Sequence, residues 1–181
     1  FMFMFMILPV AIPVTIAAYS IVGEKTTHSL EPLLATPITT TELLLGKALA
    51  AMTPAIVATW ISYILYMIGV RFLVSDAVFS RLLDPMWLLA IFGVGPLLAL
   101  LAVCFGLIIS SRASDPRVAE QLAALIVLPL ILLVVGQSLG LILINRQMVL
   151  FIAIFVAILD VILVILTVRL FQRETILTSW K

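Results

Sequence analysis

The placement of charge constrains this chain more than any other feature of its sequence. Eighteen of the nineteen charged residues lie outside five long apolar stretches, and only Asp160 lies inside one; the stretches are 1–22, 48–70, 85–111, 121–145 and 147–168. About 20 apolar residues in a helix, each rising about 1.5 Å, cross the hydrocarbon core of a bilayer. All five stretches are long enough. None shows the strict two-residue alternation of a barrel strand, so we expect helices.

The composition agrees with lipid as the solvent. The 181 residues are 65% hydrophobic and 10% charged, whereas an average soluble domain is about half apolar and about a quarter charged. We therefore predict an all-α, polytopic membrane helix bundle that forms one transmembrane domain over 1–181. Its five helices should lie at about 1–22, 48–70, 86–110, 121–144 and 148–169.

The basic residues indicate an orientation, because cytoplasmic loops of membrane proteins carry an excess of Lys and Arg. Five spans place three basic residues on one side and seven on the other; the seven are Lys25, Lys47, Arg112, Arg117, Arg169, Arg173 and Lys181. Loops 23–47 and 111–120 and the C-terminus are thus expected in the cytoplasm. The chain also begins directly in apolar sequence, with Phe1 rather than Met and no signal-peptide pattern. We expect an N-terminal truncation that removes at least one further span.

Loop 23–47 predicts a short amphipathic helix. Ser29 is suited to cap its N-terminus, and Leu30, Leu33 and Leu34 fall on one face. Pro37 should end it, because the residue before a proline avoids the helical region. A helix of about two turns is marginal alone and needs a surface to pack on. On its apolar stripe alone, an interfacial helix lying on lipid is the favoured interpretation.

Further helix starts follow along the chain. Thr39 and Glu42 have the S/T-x-x-E spacing of a capping box, which predicts a helix running through Gly46 and Lys47 into the second span. The pairs Asp84-Pro85 and Asp115-Pro116 each read as an N-cap followed by a proline in the first turn.

Asp160 is the candidate intramembrane polar site. Ionisable residues within a span are candidates for ion paths or proton relays. The alternative is a protonated or hydrogen-bonded aspartate that fixes helix packing, with Thr59 or Ser62 at similar depth as partners. The sequence favours the structural interpretation, because no basic residue lies level with Asp160.

Several function classes are excluded by the residues themselves. The net charge of +1 and the lack of a basic run argue against nucleic-acid binding. Cys104 is the only cysteine, so no disulfide or cysteine metal site forms within the chain. Gly46-Lys47 is not a Walker A motif, because Thr41 stands where the first glycine is needed and Ala48 where Ser or Thr is needed. The chain is therefore not expected to be an enzyme or to bind a cofactor.

Loop 23–47 resembles the permease subunits of ABC transporters of the type-2 exporter class. The matching residues are Glu24-Lys25, Ser29-Leu30-Glu31-Pro32-Leu33-Leu34, Thr36-Pro37 and Glu42-Leu43-Leu44-Leu45-Gly46-Lys47. Two supporting matches lie downstream, at 110–117 and 171–181, so the resemblance covers nearly the whole chain. Such permeases have six spans, and this loop follows the second.

The resemblance implies a transmembrane subunit of an ATP-driven exporter in a prokaryotic plasma membrane. A cytoplasmic ATP-binding-cassette ATPase would bind ATP and Mg²⁺, and a second permease copy would complete the pump as a homodimer or heterodimer. The implied ATPase-coupling residues are Glu24, Lys25, Leu30, Glu31, Leu33, Leu34, Pro37, Glu42, Gly46 and Lys47. This puts docking of the short helix on the ATPase ahead of its lying on lipid.

The sequence leaves two alternative functions for this chain. Half of an ion-coupled secondary transporter would be expected to show inverted repeats and several charges at mid-membrane depth, whereas the sequence shows no such repeat and only Asp160 within a span. A membrane scaffold that transports nothing is the second alternative.

Overall fold

The computed structural model describes residues 2–27, 39–141 and 145–171, and within them it contains eight α-helices and no β-strand. The helices are α1 (Leu8–Thr26), α2 (Thr40–Arg71), α3 (Asp76–Leu82), α4 (Pro85–Leu88), α5 (Gly95–Arg112), α6 (Pro116–Ala124), α7 (Leu128–Ser138) and α8 (Arg146–Leu170). Short 3₁₀ segments lie at Met2–Met6 and Leu125–Val127, and a π-helical segment, Leu89–Val94, precedes α5.

The predicted helical membrane bundle is confirmed. Five helical stretches of the described residues are long and apolar enough to cross a membrane: Met4–Thr26, Thr40–Arg71, Asp76–Arg112, Pro116–Ser138 and Arg146–Leu170. The third stretch joins α3, α4, the π-helical segment and α5, and the fourth joins α6 and α7. The chain is an integral membrane protein.

Short polar side chains set the starts of three helices. Asp84, Asp115 and Asn145 accept hydrogen bonds of 2.8, 2.7 and 2.8 Å from backbone N–H groups two or three residues further on. Each satisfies a donor that has no partner in the first turn of a helix. The two predicted Asp-Pro helix starts are therefore confirmed.

The third span changes its helical geometry before Pro96. Proline has no N–H, and its ring clashes with the carbonyl four residues earlier. The π-helical segment Leu89–Val94 widens the helix at this point, and the Gly95 N–H reaches the carbonyl of Ala90 five residues back. The wide turn is how this helix accommodates the proline.

The fourth span ends earlier than predicted. The sequence places its end near residue 144, but α7 ends at Ser138 and Gly140 adopts a left-handed φ of 71°. The Leu141 N–H then reaches back to the carbonyl of Gly136 at 2.9 Å, which is the bond of a Schellman motif. Gly140 therefore terminates a helix, and a Cβ added there would meet no atom of the described part of the chain within 4 Å.

Helices α1 and α5 form the centre of the bundle. Their contact is built from small buried residues, with Ala17 and Ala18 on α1 and Ala102 and Gly106 on α5. Small residues let two backbones approach closely, which is a main source of helix association in lipid. Around this pair, α2 and α6 pack on α1 and α8 packs on α5.

Helices α2, α7 and α8 present large apolar side chains outward. Leu65, Leu132 and Phe151 are 63%, 69% and 70% exposed on these three helices. Lipid is as apolar as these side chains, so a bilayer accepts such a surface where water would not.

Candidate functional site

A cluster of polar side chains joins α1, α2 and α5 at one end of the bundle. It consists of Ser20, Glu24 and Lys25 of α1, Lys47 of α2, and Ser110 and Ser111 of α5, and it is called the polar cluster below. The end of α1 and the beginning of α2 flank residues 28–38, which lie outside the described residues. The polar cluster therefore lies at the helix ends that this segment connects.

Glu24 and Lys47 form the ion pair of the polar cluster. The Lys47 Nζ lies 2.6 Å from Glu24 Oε1 and donates a second hydrogen bond of 2.9 Å to Ser20 Oγ. Ser20 and Glu24 are four residues apart on α1 and so lie on one face. The Lys47 side chain is only 11% exposed and that of Glu24 is 30% exposed. A charge-assisted bond with this little solvent is screened less than a surface pair.

A second set of bonds ties α1 to α5. The buried Ser110 Oγ accepts from the backbone N–H groups of Ile21 and Val22, at 3.1 and 3.0 Å. The Lys25 Nζ donates a 2.6 Å hydrogen bond to the carbonyl oxygen of Ser111. That carbonyl belongs to the last turn of α5, where carbonyl groups have no helical partner and a cation is favourable.

Glu42 completes the predicted capping box at the start of α2. The Thr39 Oγ1 accepts from the Glu42 N–H at 3.3 Å, and Glu42 Oε2 accepts from the Thr39 N–H at 2.8 Å. Glu42 precedes the apolar part of the second span and is exposed. Its hydrogen bonds, first to the Thr39 hydroxyl and then to the Thr39 backbone, hold the pKa of the carboxyl below its usual range.

The structure thus brings together some of the predicted coupling residues and separates others. Glu24, Lys25 and Lys47 lie in the polar cluster, while Glu42 caps α2. Gly46 is exposed, and a Cβ added there would meet no described residue within 4 Å. Five of the predicted residues fall within 28–38, outside the described residues: Leu30, Glu31, Leu33, Leu34 and Pro37.

Sequence reasoning missed the roles of Ser20 and Ser110. The spacing of Ser20 and Glu24 on one helix face is a local signal that could have indicated Ser20. The bonds of Ser110 to α1 join residues 88 and 89 positions apart, so no local pattern reveals them.

Asp160 lies apart from the polar cluster. It is 3% exposed, and neither of its carboxyl oxygens has a hydrogen-bond partner within the described part of the chain. The Thr59 hydroxyl, one of its two predicted partners, donates instead to the carbonyl of Ala55 in its own helix. In the same described part, no three His, Cys, Asp or Glu side chains form a group that could hold a metal ion.

One comparison with known proteins identifies the family of this chain. The family model described as "ABC-2 family transporter protein" matches residues 1–180. Comparisons with curated proteins and with solved structures gave no match. The match covers almost the entire chain, and the predicted family is confirmed. The chain belongs to the ABC-2 family of transporter proteins and is the membrane-spanning permease component of an ABC transporter.

Proposed function

We propose that this permease is the transmembrane subunit of an ATP-driven exporter and that a separate cytoplasmic ATPase moves it through the polar cluster. The ATPase would bind the segment 28–38, as the resemblance of loop 23–47 implies. In this proposal the movement of the ATPase displaces the segment. The polar cluster, at the helix ends that the segment connects, then transmits the displacement to α1, α2 and α5.

The observation that carries the proposal is the 2.6 Å contact between Glu24 and Lys47. It joins the last turn of α1 to the second turn of α2, on the two sides of the segment 28–38. A displacement of that segment would therefore act on α1 and α2 together. Because Ser110 and Ser111 bond to α1, the movement would extend to α5.

The remaining parts of the pump are proposed from the family resemblance and the distribution of charge. The excess of basic residues would put the polar cluster in the cytoplasm, where ATP is available. ATP and Mg²⁺ would bind to the partner ATPase. Two ATPases and two permease copies, in a homodimer or a heterodimer, would alternate the access of the transport path.

Charge reversal tests the proposal. We would co-express the full-length permease with its ATPase, reconstitute the complex, and measure the ATP hydrolysis that the permease stimulates. Glu24→Lys and Lys47→Glu should each abolish most of the stimulation, because each leaves like charges within the polar cluster. The double variant, Glu24→Lys with Lys47→Glu, should recover a substantial part of it.

A matched control lies at the opposite end of α2, where exposed Arg71 and Asp76 form an ion pair. Reversing that pair should leave the stimulation unchanged, since exposed pairs contribute little. The proposal fails if the single Glu24 and Lys47 variants assemble normally and retain full stimulation.

A further inference from the structure

Asp160 occupies an unusual place for a carboxyl group. It lies near the middle of α8 (Arg146–Leu170), about 15 Å or more from either end at about 1.5 Å per residue. Yet it is 3% exposed, so this one chain already shields it from lipid. A second permease copy packed on the outside of the bundle could therefore not supply its partner.

Among the described residues, the apolar parts of the elements that pack on α8 hold no charge opposite to that of Asp160. Helix α8 packs mainly on α5, with further contacts to the π-helical segment and α2. Along the apolar parts of those elements the titratable side chains are Cys104, Tyr63 and Tyr66, and none is cationic. On these two packed helices, Cys104 of α5 and Asp160 and Thr167 of α8 are all buried. These three residues, Cys104, Asp160 and Thr167, are called the α5–α8 seam below.

Two kinds of cation could neutralise the carboxylate. A metal ion such as Ca²⁺ or Mg²⁺ needs about six oxygen ligands. The seam offers the Asp160 carboxyl and the Thr167 hydroxyl, and that hydroxyl already donates to the carbonyl of Leu163 at 2.7 Å. A proton needs only the carboxylate itself. Since an ionised carboxylate buried without a partner is very costly, the packed seam favours the neutral acid.

We propose that Asp160 is a proton-binding site that holds the α5–α8 seam closed. The carboxyl carries a proton while α5 and α8 are packed, and it loses that proton when the seam opens to water. Opening and proton release are then the same event, so alkaline conditions favour the open seam. The inference rests on the described helices and does not depend on the partner ATPase.

Cys104 supplies the reporter for the test. The full-length permease, in lipid nanodiscs, is treated with a maleimide between about pH 5 and about pH 8, and labelling of the Cys104 peptide is followed by mass spectrometry. The wild type is compared with Asp160→Asn, which keeps the shape of the side chain but cannot ionise. Both contain the same thiol, so the ratio of their labelling rates removes the titration of cysteine itself.

We expect this ratio to be lowest at the acidic end of the range, because an aspartate that is open to water begins to ionise at about pH 4. Asp160 ionises only when the seam is open. Each pH unit above the pKa of the open form should therefore raise the population of the open seam, and with it the ratio, by up to about tenfold. Asp115→Asn, which replaces an exposed helix-capping carboxyl on α6, is the matched control and should follow the wild type. A ratio that stays constant with pH would overturn the proposal.

Infrared spectroscopy gives a second, independent readout. The wild type and Asp115→Asn should show the carbonyl band of a protonated carboxylic acid at neutral pH, and Asp160→Asn should lack it. If Asp160→Asn does not fold, Asp160→Glu, which keeps the acid on a longer side chain, should shift the band and so assign it to position 160. Absence of the band from folded wild-type protein at neutral pH would contradict the proposal.

Discussion

Gly106 of α5 faces Ala17 of α1 so closely that a Cβ atom at position 106 would lie 2.8 Å from the Ala17 Cβ. The same atom would lie 3.0 Å from the carbonyl oxygen of Val14 and 3.2 Å from the backbone nitrogen of Ala18. Two of these three neighbours are backbone atoms, which cannot turn aside as a long side chain can. The packing of the two central helices therefore requires glycine at this position.

Gly106→Ala should destabilise the bundle. The added methyl group would force α1 and α5 apart, and overpacking of a tight contact costs about 1–3 kcal/mol. Thermal unfolding of the full-length permease in nanodiscs measures the effect. Gly69→Ala on α2 is the control, because no atom that the structure describes lies within 4 Å of the added Cβ there. Equal melting temperatures for the two variants would show that the close approach is not required.

Ser110→Ala should loosen the end of α5 from α1. It removes the oxygen that accepts from the Ile21 and Val22 N–H groups. Loss of a buried acceptor costs about 1–3 kcal/mol, measured as a lower free energy of unfolding. The comparison variant is Ser138→Ala, since the exposed Ser138 hydroxyl donates only within its own helix, to the carbonyl of Val134. It should change stability by less than about 0.5 kcal/mol.

Glu42 should make the first turn of α2 sensitive to acid. Because its pKa is depressed in the folded chain, the stabilisation is present above the unfolded-state value of about 4.3 and is lost as the pH falls through the folded value. Amide hydrogen exchange in this turn, corrected for intrinsic rates, should therefore accelerate below about pH 4. In Glu42→Gln the exchange should no longer depend on the pH in this window. A pH course shared by both proteins would exclude Glu42 as the cause.

A photo-cross-linker at Leu33 should capture the ATPase. We expect the apolar face of Leu30, Leu33 and Leu34 to dock on that partner, so the product should contain the ATPase when the two proteins are co-expressed. The same cross-linker at Leu65, which is 63% exposed and lies in the half of α2 far from Lys47, should not capture it. Capture of lipid alone from Leu33 would support the interfacial helix instead.

The sequence predicts the parts of this structure that depend on local order. The five spans follow from the length of each apolar stretch. The capping box of Thr39 and Glu42 and the Asp115-Pro116 start follow from contacts within four residues. Such features are decided by the chain near each residue, and they agree with the structure.

Features that join distant parts of the chain are not predictable in this way. Loop 23–47 marks Glu24 and Lys47 as important, yet nothing in it says that the two bind each other across 23 residues. The end of α7 was misplaced for a different reason. Apolar sequence continues past Ser138, and the left-handed Gly140 ends the helix where hydropathy does not.

The π-helical segment Leu89–Val94 has a consequence for comparing this span with others. A wide turn inserts one residue into a helix, and one residue corresponds to about 100° of rotation at 3.6 residues per turn. Side chains before Leu89 are therefore rotated about the helix axis, compared with the directions they would have if α5 continued as a regular α-helix. Consider a relative without a proline at position 96. Its sequence would align directly with α5, but aligning it with the residues before Leu89 would need a gap of one residue.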